Sequence, residues 1–196
     1  YITLGKELPA KALDEILTDH AEVFTELKEY YKQTSESDTT KISFYEDTYS
    51  LYNLYRFAHY YEEAYGKYIW LKSGASLVIE HTEAMTVIDV NTGSVLKKKK
   101  QEDTLFYQIN REAAKEIARQ LRLRNISGII MIDFINMKDT AQKEKLLSLL
   151  DSECKMDRVH CNVIDMTALN LVEMTRSKVR KPLHEQIRSC MKNNRS

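Results

Sequence analysis

Apolar residues recur along the chain in two rhythms, and one gives way to the other near Tyr68. From Lys11 to Lys32, Leu13, Ile16, Leu17, Val23, Phe24 and Leu27 return at the three-to-four-residue interval of helices with a polar face, broken near Asp19. The stretch Gln33-Thr-Ser-Glu-Ser-Asp-Thr-Thr40 reads as a polar loop, and Lys41 to Tyr45 as a short strand. A Tyr-rich helix is predicted from Tyr52 to Ala64. Its Tyr52, Tyr55, Tyr60 and Tyr61 could stack on bases as rings do in single-strand readers, but their helical spacing is explained more simply by packing.

Beyond Tyr68 the pattern is one of strands and tight turns. Tyr68-Ile-Trp-Leu71, Ser76-Leu-Val-Ile-Glu80 and Thr86-Val-Ile-Asp-Val90 read as β, with turns near Lys72-Ser73-Gly74 and Glu83-Ala84. A basic loop, Lys97 to Lys100, precedes a helix from Thr104 to Arg124 whose stripe is Ala113, Ala114, Ile117, Ala118 and Leu121. Gly128-Ile-Ile-Met-Ile-Asp-Phe134 is apolar at nearly every position, which predicts a central strand covered on both faces. A helix from Thr140 to Cys154 and a strand from Val159 to Ile164 complete an α/β alternation.

Composition narrows the class. With 196 residues, 43% hydrophobic and 30% charged, the chain can build one ordinary domain or two small ones and is not disordered. Its three cysteines, Cys154, Cys161 and Cys190, form no even-numbered framework, which predicts a reducing, cytoplasmic setting. No apolar run approaches the roughly 18 residues of a membrane span. The opening Tyr-Ile-Thr-Leu-Gly has neither an initiator Met nor a basic-then-apolar leader, so it reads as a piece of a longer chain without a signal peptide.

The net charge is zero, yet the halves are opposite. Residues 1–68 carry 7 Lys and Arg against 13 Asp and Glu, a net of −6; residues 69–196 carry 22 against 16, a net of +6. Residues 97–124 alone hold nine cations and four acids, a net of +5 that would draw an anionic polymer.

Against this background two acids stand out. Asp89 lies in Val87-Ile88-Asp89-Val90 and Asp133 in Met131-Ile132-Asp133-Phe134, and Asp is rarely buried unless paired or bound to metal. Taken singly, each reads as a cap on a strand end. Taken together, with Asn91 two residues from Asp89 on the same strand face and a basic segment nearby, they read as hard oxygen ligands for Mg²⁺-assisted phosphate chemistry. Gly93 then ends the strand and leaves room for a bulky ligand. Cys154, His160 and Cys161 match no common zinc spacing and read as structural. His81 and His160 are proton-transfer candidates only if the fold brings them to the acids. No Gly-x-Ser-x-Gly, Walker or GxGxxG motif is present, so serine hydrolase, P-loop and dinucleotide classes lack support.

These same residues resemble the ribonuclease E/G family. The resemblance runs through Glu80-His-Thr-Glu-Ala-Met-Thr-Val-Ile-Asp-Val-Asn-Thr-Gly93, Trp70-Leu-Lys-Ser-Gly74, Asn110 to Arg124, Gly128-Ile-Ile-Met-Ile-Asp-Phe134 and Leu171-Val-Glu-Met-Thr-Arg176. It implies a mixed sheet flanked by helices, a DNase I-like subdomain over residues 69–183, preceded by an RNase H-like remnant over 1–68 and followed by a tail over 184–196. It also implies Mg²⁺-dependent endonucleolytic hydrolysis of single-stranded RNA to 5′-phosphate and 3′-hydroxyl products, in RNA processing and decay. The family's metal carboxylates fall on Asp89 and Asp133 and its catalytic-site Asn on Asn91. Lys98, Lys100, Arg122, Arg124 and Arg176 are the expected RNA contacts. The family's OB-fold and 5′-end sensor fall outside this chain, which predicts weakened RNA affinity. The resemblance leaves an oligomer open for the full-length protein, but Cys190 lacks the second cysteine of the family's zinc link, so no zinc-linked dimer is predicted. Asn136 stands where the family commonly has an acid, and Asn170 where it commonly has Gly. Two rival classes are a non-catalytic RNA-binding piece and a DNA-directed phosphodiesterase of the same plan.

Overall fold

The computed structural model describes residues 14–34, 41–93 and 102–186, and the chain divides into two units between Tyr61 and Glu62. In the first unit, strand β1 (Glu15–Thr18), helix α1 (Ala21–Thr34) and strand β2 (Lys41–Phe44) form a β-α-β turn with the strands parallel, Glu15 opposite Lys41 and Thr18 opposite Phe44. The helical period predicted from Lys11 therefore fails at Glu15–Thr18. Ile16-Leu17 is too short an apolar run to distinguish helix from strand, and β2 supplies the ladder partners. Glu15 fixes the register by accepting from Ser43 Oγ at 2.7 Å and pairing with Lys41 at 3.3 Å. Helix α1 closes over the strands with the Phe24 ring 5.4 Å from that of Phe44 and with Leu27 buried.

Two short helices follow, α2 (Leu51–Leu54) and α3 (Phe57–Tyr65). Packing does not account for their tyrosines as the spacing suggests. Tyr52, Tyr55 and Tyr60 are exposed, and the Phe57 ring lies 6.0 and 6.3 Å from the first two; the Tyr61 side chain lies outside the described residues.

The second unit is built on one six-stranded mixed sheet. Its strands are β3 (Tyr68–Trp70), β4 (Ser76–His81), β5 (Met85–Asn91), β6 (Gly128–Asp133), β7 (Cys161–Met166) and β8 (Leu171–Arg176), ordered β3-β4-β5-β6-β8-β7. Only β5 and β6 are parallel, so a crossover must join them, and it is helix α4 (Glu102–Leu123). Helix α5 (Thr140–Cys154) connects β6 to β7, with Asp139 capping it by accepting from the Ala141 N–H at 2.8 Å.

One face of this sheet is dry. Leu77, Ile79, Ile88, Val90, Ile130, Ile132, Val172 and Met174 pack beneath Ile109, Ala113, Ile117 and Leu121 of α4 and Leu146 and Leu150 of α5. The residues between them emerge on the opposite face, where Val87 and Met131 are half-buried and Ile129 is 49% exposed. The expectation that Gly128–Phe134 is covered on both faces is thus corrected: β6 alternates. An apolar residue at every position hides the period, and the less covered face is the one that carries Asp133. No helix among the described residues is long and apolar enough to cross a membrane.

Gly93 also differs from its expected role. It has a φ of +55°, and a Cβ there would lie 2.8 Å from the Gly74 carbonyl oxygen. The space is occupied by the turn after β3 rather than left for a ligand. Gly93→Ala is expected to cost roughly 2 kcal/mol, from left-handed strain and the backbone clash together. Urea unfolding should show a lower midpoint with an unchanged slope.

Candidate functional site

The parallel register sets Asp89 directly opposite Asp133, at the carboxyl ends of β5 and β6. Neighbouring strands lie about 4.8 Å apart, and both side chains leave the sheet on the less covered face. Asn91, two residues on, donates from Nδ2 to Asp89 Oδ2 at 2.7 Å. That bond fixes one carboxylate oxygen and leaves the Asn91 carbonyl and its second N–H for other work. Partial burial, and after it the Asp89 charge, push the Asp133 carboxyl above its ordinary value. Two like charges side by side favour a proton or a cation between them.

Helix α4 holds both strand ends in place. Asn110, fully buried in the helix stripe, donates from Nδ2 to the Ile135 carbonyl at 2.7 Å and accepts the Ile135 N–H at 3.0 Å, fixing the chain just beyond Asp133. Two residues later Glu112 accepts the Lys72 N–H at 2.7 Å and the Ser73 N–H at 3.3 Å, and this is the turn that backs Gly93 beyond Asn91. Sequence reasoning missed both as positioning residues. The available signal was an amide set between apolar positions of a helix, Ile109-Asn110 ahead of Ala113-Ala114.

The other anticipated residues stand elsewhere. Arg124 and Arg176 are not carried forward as RNA contacts, being only 5% and 4% exposed. Arg176 lies on the helix-covered face at the opposite end of β8, with Nε donating to Asp157 at 2.9 Å and Nη1 to Asn125 and the Ile126 carbonyl, both at 2.9 Å. Arg124 donates to Gln120 at 2.6 Å and to the Glu63 carbonyl at 2.8 Å, and burial lowers its guanidinium to about 10, still charged at neutral pH. Arg119, from the same helix, pairs with Glu63 and with Glu116. Arg122 is half-buried and donates to the Glu153 carbonyl at 3.3 Å, again on the helix layer. Lys98, Lys100 and Cys190 lie outside the described residues.

Nor do the histidines reach the carboxylates. His81 meets Thr86 Oγ1 at 3.0 Å and stacks on His184 at 3.8 Å, at the far end of β5 and on the helix side. His160 precedes β7 at the end of the sheet away from Asp133. Cys154 is buried and Cys161 half-buried; both thiols are free, and contact with Cys161 together with burial pushes Cys154 up. Asn170, in the β7–β8 turn, has a φ of +63°, a conformation that Asn tolerates better than other residues with a side chain. Its Oδ1 accepts from Lys143 Nζ at 2.5 Å.

Among the described residues no cluster of three or more His, Cys, Asp or Glu side chains is arranged to hold a metal ion. A pair of carboxylates still suits Mg²⁺, which keeps several waters and takes its remaining oxygens from phosphate.

A family model described as "Ribonuclease E/G family" matches residues 2–179. The chain belongs to the ribonuclease E/G family. It is 37% identical to Ribonuclease G of Escherichia coli (strain K12) and 39% identical to Ribonuclease G of Haemophilus influenzae, in each case over 87% of this chain and 35% of the relative. It is also 34% identical to Ribonuclease E of Nostoc sp., over 88% of this chain and 26% of that protein. The chain therefore spans about a third of the length of the Ribonuclease G sequences it matches. Within this ribonuclease E/G chain, the acids and the amide that the motifs single out share one face and one end of the sheet.

Two substitutions probe this arrangement. Asn110→Ala leaves the Ile135 N–H and C=O without their partner and is expected to cost roughly 2–4 kcal/mol in denaturant unfolding. Asp133→Asn is expected to raise the thermal midpoint at neutral pH without divalent cations. The raised folded-state pKa means that the favourable contribution of protonated Asp133 is complete below the unfolded value and is lost as pH rises through the folded one. The advantage of the Asn variant should therefore vanish in acid, and a wild type more stable than the variant at neutral pH would contradict the assignment.

Proposed function

We propose that this chain is the catalytic portion of an endoribonuclease that hydrolyses single-stranded RNA in RNA processing and decay, leaving 5′-phosphate and 3′-hydroxyl ends. The observation that carries the reading is the pairing of Asp89 with Asp133, with Asn91 bound to Asp89 at 2.7 Å. Family membership and the names of the Ribonuclease G and Ribonuclease E relatives support it. The sheet of the second unit reads as the DNase I-like subdomain and the first unit as the remnant of an RNase H-like one.

Asp89 and Asp133 would hold Mg²⁺, whose chemistry is to make a bound water acidic and to neutralise charge growing on the phosphate. Asp133 contributes because its carboxyl, raised by burial and by Asp89, gains most when a cation replaces the proton it favours. Asn91 holds Asp89 in one rotamer through Nδ2, and its remaining N–H and its carbonyl orient a phosphate oxygen or the attacking water. Asn110 and Glu112 keep the two strand ends at fixed separation, so orientation is provided before RNA arrives. Among the anticipated RNA contacts, Lys98 and Lys100 remain in the proposal; Arg122, on the helix layer with its guanidinium on the Glu153 carbonyl, does not.

The test incubates the chain, Asp89→Ala and Asp89→Asn with single-stranded RNA and single-stranded DNA, in Mg²⁺ or in EDTA. RNA cleavage should fall at least a hundredfold in both variants and in EDTA, with circular dichroism unchanged. Cleavage that survives EDTA or the substitutions rules out the metal reading. Binding without cleavage indicates an RNA-binding module, and preferential cleavage of DNA indicates a DNA-directed phosphodiesterase.

A further inference from the structure

We propose that Tyr68 and Trp70 form a base-stacking subsite for the RNA strand whose phosphate meets Asp89, Asn91 and Asp133, an inference that rests on the reading of that site given above. Strand β3 is three residues long and lies at the sheet edge. Its middle residue, Ile69, is buried beneath the helices, so Tyr68 and Trp70 project from the other face, the one that carries the carboxylates. The ladder ties the rings to the site residue by residue. Tyr68 pairs with Val78, Val78 with Asp89 and Asp89 with Asp133; in the adjacent row Trp70 pairs with Ser76 and Ser76 with Asn91. Each ring therefore stands two strands from a site residue, about 10 Å across the sheet.

The surface between them is low. Ser76 and Val78 are the only residues that intervene in the two rows, and neither stands above the sheet as a ring does. Charge sets the direction of a strand crossing it. The next row runs Glu80, Val87, Met131, Glu173; Glu80 is paired with Lys67, which leaves Glu173 to disfavour a phosphate backbone at the far end of the row, whereas exposed Lys72 follows Trp70 at the ring end. Trp70 is 73% exposed and Tyr68 59%. A single ring in water is ordinary. Two on one edge strand, alternating with a buried Ile and in register with an acid–amide cluster, make a platform on which bases stack whatever their sequence.

Trp70 is the sole tryptophan of the chain, so its emission reports on this subsite alone. The full chain is titrated in EDTA, which suspends metal-dependent cleavage, with a short labelled oligouridylate and with an abasic oligonucleotide of equal length. Tryptophan emission should be quenched by the oligouridylate with the same midpoint as its fluorescence polarisation. The abasic strand should bind about tenfold more weakly and quench little. Trp70→Ala should weaken binding about tenfold and Trp70→Phe should restore most of it. Polarisation that shows binding with unchanged emission, and with Trp70→Ala as tight as wild type, overturns the proposal, as does the absence of RNA binding. Emission that changes with protein concentration alone, together with dimers that Trp70→Ala dissociates, assigns the rings to self-association and also overturns it. Quenching that persists where cleavage is never observed rejects the catalytic reading and leaves the subsite standing.

Discussion

Two carboxylates of like charge are held side by side by the parallel pairing of Met85–Asn91 with Gly128–Asp133. Unit charges about 5 Å apart repel by roughly 1 kcal/mol in water and 3 kcal/mol in the milieu of a protein surface. The pairing survives because the residues that alternate with the acids are buried beneath the helices. Ile88, Val90, Ile130 and Ile132 each contribute about 1.5–3 kcal/mol by leaving water. A slip of one residue would send those side chains to the solvent side and the acids into the core. The dry face thus sets the geometry of the wet one. Helix α4 adds polar contacts at the two places where the core stops, through Asn110 beyond β6 and Glu112 behind the turn that meets Gly93.

Much of this was legible in the pattern of residues, and what was not has physical causes. Strands β3 to β5 and helices α4 and α5 follow their periods because one face of each is dry, whereas β6 was legible as a strand but not in its alternation. Asp89 and Asp133 announced themselves as acids among apolar neighbours, and Asn91 by its two-residue offset. Glu15–Thr18 was not legible as a strand, since its ladder partner lies across a helix and four residues cannot declare a period. Leu171–Arg176 was legible only as a block of family resemblance; with Glu173 and Arg176 among its six residues, its insertion between β6 and β7 is set by tertiary pairing. Arg124 and Arg176 misled because a cation in a sequence looks solvated until its remote partners are known, here Glu63 and Asp157. Gly93 misled because the sequence does not show what fills the space beside a glycine: it was expected to make room for a ligand, and the Gly74 carbonyl occupies the gap.

The charge pattern takes on a different meaning once the layers are known. The basic stretch of α4 belongs to the layer behind the sheet, and part of its charge is spent internally, Arg119 on Glu63 and Glu116 and Arg124 on Gln120 and a carbonyl. The remaining field acts at a distance, raising the local concentration of a polyanion rather than gripping it. In the function proposed above, contact on the acidic face rests instead on rings, an amide and the two carboxylates, groups that contribute little to a count of charges.

The crossover has a consequence for synthesis. Asp89 and Asp133 belong to adjacent strands separated in the chain by a 22-residue helix, and β6 takes its other neighbour from β8, which is made last. A chain emerging from the ribosome therefore displays one acid before its partner has been made, and the pair can close only once the crossover helix and β6 have followed. The acid pair is thus a product of tertiary folding alone, since no single strand or hairpin of the chain carries both members.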